Sequence, residues 1–328
     1  MGCGVSRVVE QGRKQTQQKL LSSRKGGIKK LEVSEDEEDI IFSFNFITNE
    51  IDCIQCPPGM VPIVCLDPAA FCICTSNLVL DNNDVTNVKF PVVAASIHNL
   101  GRIVCLAHIS MLYSYCLLMK DTSTFYHNIF VWLTSKQILL STVLLLNVAP
   151  KYSNDVAKEL RRLGFTCEYG SFSKDLEQYQ LIIITTDYDF TEEEIEKLRA
   201  FSKNGGAILC CYAPSASNSM TFPINTFLDE FGLSYMNLSL SSDSSSPVKV
   251  RMPYSYLEVR NKVFIKMLKP LQDILSNKSI DPEMLDDFVI ELRYTIQATS
   301  ERHIPTISTI IDCCWEFLNK TGYKDEAG

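Results

Sequence analysis

Residues 180–213, QLIIITTDYDFTEEEIEKLRAFSKNGGAILCCYA, carry the clearest change of hydrophobic period in the chain. Leu181–Thr185 is a short apolar run with β-branched residues, which predicts a strand buried on both faces. Thr191 stands three residues before Glu194, the spacing at which a side chain at each position satisfies an orphan backbone donor at a helix start. Glu192, Glu193 and Glu194 fall in the first turn, where the helix dipole favours negative charge. Ile195, Leu198 and Phe201 then recur at helical spacing. Gly205 and Gly206 supply the left-handed backbone that ends the helix, and residues 207–212 form the next apolar run. Two such strands joined by a helix lie parallel, with a right-handed crossover.

The same alternation extends outward. Residues 40–46 and 61–66 read as strands. Residues 90–96 and 102–108 read as a hairpin around a short loop. Phe125, Ile129, Trp132 and Leu133 mark a helix, and residues 142–148 a buried strand. Ser153 is placed to cap a helix whose Val156, Leu160 and Leu163 face inward and whose Gly164 ends it. Residues 165–168 read as a strand, residues 222–231 as a short helix and residues 233–238 as a final strand. Beyond a polar, serine-rich stretch at 241–246 the pattern is helical. Val259, Val263, Met267, Leu271 and Leu275 share one face, Asp281-Pro282 opens a second helix, and Pro305 opens a third. The order predicts an α/β fold with a doubly wound, mostly parallel sheet and a helical C-terminal extension. The domains expected are a tail at 1–39, an α/β domain at 40–240, a linker at 241–253 and a helical extension at 254–322.

Charge changes the picture at the N-terminus. The chain has 328 residues and a formal net charge of −8. Arg7, Arg13, Lys14, Lys19, Arg24, Lys25, Lys29 and Lys30 face only Glu10 in the first thirty residues, a local +7, so the remainder carries the difference, −15. An acidic body argues against nucleic acid as partner. The chain opens MGCGVS, which fits the pattern for acylation of Gly2, with Cys3 beside it as a second acylation site. One myristoyl chain anchors only marginally, and a second chain or a polybasic segment makes attachment stable. The expected location is therefore peripheral, on the cytoplasmic face of the plasma membrane or of another cellular membrane, against an anionic leaflet. Ser34, in the acidic run EVSEDEED, is a candidate phosphorylation site whose added charge would oppose the basic tail. The 13 cysteines sit mostly in apolar runs with no cleavable signal peptide ahead, which points to buried free thiols in a reducing compartment. Residues 103–119 carry no Lys, Arg, Asp or Glu, but are short for a membrane span and contain His108, two serines and two tyrosines.

Several pieces resemble one known family. Residues 90–96 (FPVVAAS), Gly101-Arg102 in a hairpin, and a strand ending in His108 resemble the first domain of TRP-channel-associated factors and related proteins with an M60-like peptidase unit. Residues 125–133 (FYHNIFVWL), 201–209 (FSKNGGAIL) and 224–233 (INTFLDEFGL) follow in the family's order, over roughly residues 61–240. The resemblance implies a class I glutamine amidotransferase-like, flavodoxin-like domain that is non-catalytic, and a protein partner, possible partners including an ion channel. The sequence departs from the family pattern at two places. Ile109 stands where the family has an acid after His108, and Cys210-Cys211-Tyr212-Ala213-Pro214 replaces its Gly-Gly-Gln-Ala-Trp. No H-E-x-x-H occurs, so the peptidase unit is absent from this sequence.

Candidate chemistry is sparse. Cys211, at a strand end, is where an amidotransferase places its nucleophile, with His108 as a second vestigial candidate. That chemistry needs a sharp strand-to-helix elbow and an oriented histidine. Tyr212 and Pro214 crowd the elbow, and the histidine that follows, His303, lies in the helical region. Cys53, Cys56, Cys72 and Cys74 form C-x-x-C and C-x-C pairs that read either as a zinc site or, preferred, as buried thiols. Asp187 and Asp189 lie at a strand's carboxyl end, the edge where open α/β sheets bind ligands. The reading preferred is a non-enzymatic membrane-associated adaptor with no cofactor and no metal. The alternatives are a thiol-dependent hydrolase or amidotransferase using Cys211, and a truncated, inactive relative of an M60-like surface peptidase.

Overall fold

The computed structural model describes residues 35–79, 85–98, 100–135, 142–214, 222–240, 247–267 and 282–298, with 312, 316 and 319 singly beyond them. Gly2, Cys3, the eight basic tail residues, Ser34, the serine-rich stretch 241–246, residues 268–281 and the helix expected after Pro305 lie outside these, apart from those three single positions.

The core is a seven-stranded sheet in the order β3-β4-β5-β9-β8-β6-β7. Its outer strands on one side are β3 (Ala70–Val79), β4 (Val85–His98) and β5 (Gly101–Leu106), paired antiparallel. β9 (Ala207–Cys211), β8 (Leu181–Thr185), β6 (Thr142–Leu146) and β7 (Thr166–Gly170) continue in parallel from β5. Every residue of β8 and β9 is buried, as continuous apolar runs require when both faces are covered. Connections from β6 run outward to β7 and then back to β8 and β9, so strand order reverses between β6 and β8.

Helices make the crossovers. α1 (Glu35–Ile47) precedes the sheet; α2 (Lys120–Thr134) joins β5 to β6 and α3 (Pro150–Arg162) joins β6 to β7. α4 (Glu192–Lys203) joins β8 to β9. Its start is the predicted reciprocal cap, with Glu194 N–H donating to Thr191 Oγ1 at 3.3 Å and Thr191 N–H to Glu194 Oε2 at 2.9 Å. Ile195, Leu198 and Phe201 are buried on its inner face.

Three local expectations differ from what forms. Residues 40–46 belong to α1 and not to a strand, because Ile40, Phe44 and Ile47 fall on one helical face and are all buried. α3 starts at Pro150, whose fixed φ suits the first turn, and leaves Ser153 buried inside the helix. Over the described part of the helix expected from Val259, residues 259–267, the chain forms the end of α6 (Tyr256–Val259) and two further single turns; Leu271 and Leu275 lie outside the described residues. Val263 instead bridges to Cys65 in β2 (Ile63–Cys65). β3 itself is irregular at Cys72 and Cys74. They pair with Ala94 and Val93, so Ile73 is an extra residue and the strand bulges there.

Two small sheets tie the chain ends to this core. β10 (Leu233–Tyr235) pairs antiparallel with β2. β1 (Cys53–Cys56) pairs antiparallel with β11 (Val248–Arg251), although nearly two hundred residues separate them. α1 is held from the other end of the chain, because Glu37 lies 2.8 Å from Arg260 and 2.9 Å from Lys266. α7 (Pro282–Ala298) packs on β4 through Tyr294, edge-on to Phe90 at 6.1 Å. Lys262 and Glu291 of α7 form a largely enclosed ion pair at 2.6 Å.

Candidate functional site

The carboxyl ends of β5, β9 and β8 meet where the sequence places its candidate nucleophile. Tyr212 N–H donates to the Leu106 carbonyl at 3.0 Å, and Ile109 N–H donates to the Tyr212 carbonyl at 2.7 Å. On the other flank, Thr186 N–H donates to the Cys211 carbonyl at 3.1 Å and Ala213 N–H to Thr186 Oγ1 at 3.0 Å. The chain therefore leaves β9 extended and strapped from both sides. The next helix among the described residues is α5 (Asn225–Leu228). A nucleophile elbow turns sharply into a helix at the reactive residue, and Cys211 has no such turn beside it.

Cys211 is fully buried. Burial first, and the neighbouring Cys210 second, push its thiol well above the usual range. A nucleophilic cysteine has its thiolate favoured by cations or a helix N-terminus; these surroundings act in the opposite direction. His108 caps the single turn Ile109–Leu112, with Ser110 N–H donating to Nδ1 at 3.0 Å. Its ring meets Tyr212 edge-on at 5.6 Å. Burial lowers its pKa to about 4, so the imidazole is neutral near pH 7 with one nitrogen already engaged.

Aromatic side chains close this edge, and of them only Tyr212 stood out in the sequence. Phe222 packs against Tyr212 at 6.0 Å and against Tyr235 at 5.7 Å. The Tyr235 hydroxyl donates towards two carbonyl oxygens, Leu106 at 3.0 Å and Cys210 at 2.9 Å, and so bridges the tops of β5 and β9. Tyr152 donates to the Pro214 carbonyl at 2.8 Å. These residues come from four separate segments with no spacing in common, so no local pattern could have gathered them.

Beyond β8, Asp187 is half-buried and Asp189 exposed, and the glutamates that follow are taken up by the fold. Glu194 serves the cap and accepts from the Tyr188 hydroxyl at 2.8 Å. Glu193 pairs with Lys197, and Glu192, Glu196 and Glu230 surround Arg199 at 3.0, 2.8 and 2.6 Å. Cys56, Cys72 and Cys74 are buried, and Cys53 is partly exposed. Burial raises the thiol pKa of all three buried residues. Among the described residues no group of three or more His, Cys, Asp or Glu is arranged to hold a metal ion. No described helix is long and apolar enough to cross a membrane.

The residues behind the family resemblance do structural work. At Gly101 a Cβ would collide with Ser202 at the end of α4. Arg102 donates to the Trp132 carbonyl and to Ser135 Oγ, capping the C-terminus of α2, and its guanidinium lies 5.1 Å from the Trp132 ring centroid. Asn128 Nδ2 donates to the Ile47 and Asn49 carbonyls at 3.2 and 3.4 Å, fixing α2 to the end of α1. Asn225 brackets the Tyr235 backbone, accepting from its N–H at 2.9 Å and donating to its carbonyl at 3.0 Å.

Fold and edge together define a mixed α/β protein built on a mostly parallel seven-stranded sheet, with its signature side chains spent on fastening helices and strands to one another. Residues 68–250 match the TCAF N-terminal domain model, described as "TRPM8, N-terminal domain", and the chain belongs to this family. No curated protein matches it. Among solved structures, the IMPa metallopeptidase from Pseudomonas aeruginosa is similar at 11% identity and a TM-score of 0.49, over 73% of this chain and 26% of that one. The same enzyme in complex with T-antigen gives 11% and 0.46, over 72% and 27%. Its complex with an O-glycopeptide gives 11% and 0.46, over 64% and 23%. The chain thus spans about a quarter of the length of those structures.

Proposed function

We propose that the chain is a non-enzymatic adaptor of the TRP-channel-associated factor type, tethered to a cytoplasmic leaflet by acylation at Gly2 and Cys3. The observation that carries this reading is the family match over residues 68–250. It is supported by the site: the thiol of Cys211 is sealed and shifted away from its reactive form, and His108 is spent as a cap. The partner is a protein, and the channel named in the family's description gives its class, an ion channel. In the same reading the sheet is of the class I glutamine amidotransferase-like type. The reversal of strand order beside β8, and Cys211 at the tip of β9, support that assignment.

The membrane part rests on the sequence. Each basic residue close to an anionic surface contributes about 1 kcal/mol. Arg7, Arg13, Lys14, Lys19, Arg24, Lys25, Lys29 and Lys30 therefore supply the second signal that a single acyl chain needs. The acidic remainder is repelled by the same leaflet, which keeps the body clear of it. Phosphate on Ser34 would weaken the attraction. The test is metabolic labelling with an alkyne myristate analogue, followed by fractionation of wild type and Gly2→Ala. Label and membrane association in the wild type, both lost in the variant, are expected. A Gly2→Ala chain that stays on membranes sinks the anchor. Proximity labelling that returns no membrane protein with the wild type above the variant sinks the adaptor role.

A further inference from the structure

A groove of about 520 Å³ runs between β11 and the outer strand β3 of the large sheet, on the far side of the molecule's small β1–β11 ribbon from β1. Its floor includes Met60, Leu240, Val250 and Met252. Thr75 and Ser76 of β3 form part of the opposite wall.

The hydrogen-bond parity of the ribbon shows which way β11 faces. Met252 N–H donates to the Asp52 carbonyl at 2.9 Å, so residues 252 and 52 are a bonded pair. Gln55 N–H points the other way, to Thr122 Oγ1 at 2.9 Å. In an antiparallel pair, bonded and non-bonded positions alternate. Lys249 and Arg251, opposite Gln55 and Cys53, are therefore non-bonded positions, and their N–H and C=O groups point away from β1. Among the described residues those backbone groups have no partner. β11 thus presents a free strand edge beside the groove.

The side chains alternate in the same register. Val250 is buried, while Lys249 and Arg251 are exposed. Lys89 also lines the groove, and among the described residues none of these three cations is in an ion pair. The carboxylate that lines it, Glu258, accepts from Tyr254 N–H at 3.1 Å, and Lys262 is matched by Glu291. A locally cationic edge on a body of −15 selects an anionic partner. Beside it Tyr254 and Leu257 stand 80% and 69% exposed, with Arg251 stacked 4.0 Å from the Tyr254 ring centroid.

The geometry points to a docking site for an extended acidic peptide of a partner protein, added as a strand to β11. Its residues alternate acidic and apolar: acids beside Lys249 and Arg251, apolar groups over Val250 and Met252. Main-chain pairing supplies the affinity and the alternation supplies selectivity. This inference uses no part of the acylation reading.

The test uses the full chain and a fluorescein-labelled peptide of alternating Glu and Val, read by fluorescence anisotropy. The basic tail also attracts acidic peptides, so the deciding variant is Lys249→Pro. It removes one outward N–H, keeps every tail charge and leaves the pairing with β1 intact, because that N–H points away from β1. Binding at least about tenfold weaker in Lys249→Pro than in Lys249→Ala, which loses the same side-chain charge but keeps the N–H, and for a peptide interrupted by proline, supports strand addition. The Lys249→Glu/Arg251→Glu pair should weaken binding by a similar factor and reverse preference towards a Lys–Val peptide. Equal binding by Lys249→Ala and Lys249→Pro overturns the proposal. So does a double variant that loses phosphatidylserine vesicles while keeping the peptide, which would make the groove a lipid site. Unchanged thermal melting of each variant shows that the edge, and not the fold, has been altered.

Discussion

Acid should unseat the cap at the end of β5, and the size of the effect follows from one imidazole. His108 Nδ1 accepts the Ser110 N–H at 3.0 Å, which only an unprotonated nitrogen can do. Its folded-state pKa is about 4, lowered by burial from the usual 6.5. Between those values the unfolded chain holds more protons than the folded one, so stability rises with pH across the window and is lost as pH falls through it. A shift of that width is worth about 3 kcal/mol at its limit, at roughly 1.4 kcal/mol per pKa unit. The perturbation is His108→Asn, which retains a capping oxygen and has no titration. Urea unfolding should be followed at intervals from pH 7 to pH 4 in both proteins. Carboxylates titrate in both, so the difference between the two stabilities isolates the histidine. Near pH 7 that difference should be at its most favourable to the wild type, and by pH 4 it should have moved about 3 kcal/mol towards the variant. A difference constant to within about 0.5 kcal/mol over the range refutes the half-buried, neutral cap.

Three further changes probe other joints. Lys262→Ala leaves the carboxylate of Glu291, whose pKa burial already raises, without its partner, and should destabilise the fold by about 3–5 kcal/mol. Adding Glu291→Gln should recover part of that loss, and denaturant melts of the single and double variants measure it. Tyr235→Phe removes the hydroxyl shared by the Leu106 and Cys210 carbonyls and should cost about 1–2 kcal/mol in the same assay. Gly232→Ala places a Cβ within 2.8 Å of Asp67 N at a backbone φ of +68°, and its melting midpoint should fall by more than a loss of about 1 kcal/mol would give.

β6, β8 and β9 of the parallel half were legible because each is a short apolar run bounded by a helix with its own signals. The Thr191–Glu194 cap and the left-handed stop at Gly205 are local chemistry, and both form in the fold. Residues 40–46 were misread for a physical reason. IIFSFNF has apolar residues at both period two and period 3.6, and packing alone decides between them. β1 is four residues, CIQC, with alternate burial and no turn signal of its own; it exists because β11 lies beside it. The candidate thiol was visible, but its sealing was not. Tyr152, Tyr212, Phe222 and Tyr235 converge only once β5 and β9 are adjacent. The family resemblance was readable for a related reason, because Gly101, Arg102, Asn128 and Asn225 meet demands of close approach and capping that few other residues satisfy.

The pairing of β1 with β11 imposes an order on synthesis. A nascent chain exposes Cys53–Cys56 long before the ribosome has made Val248–Arg251, and Glu37 must wait longer still for Lys266. At about 5–20 residues per second, roughly ten to forty seconds of translation separate the two strands. During that interval the parallel sheet can assemble while one side of it stays open, so chaperone engagement and proteolytic cleavage should concentrate near the first strand and end when the last one emerges.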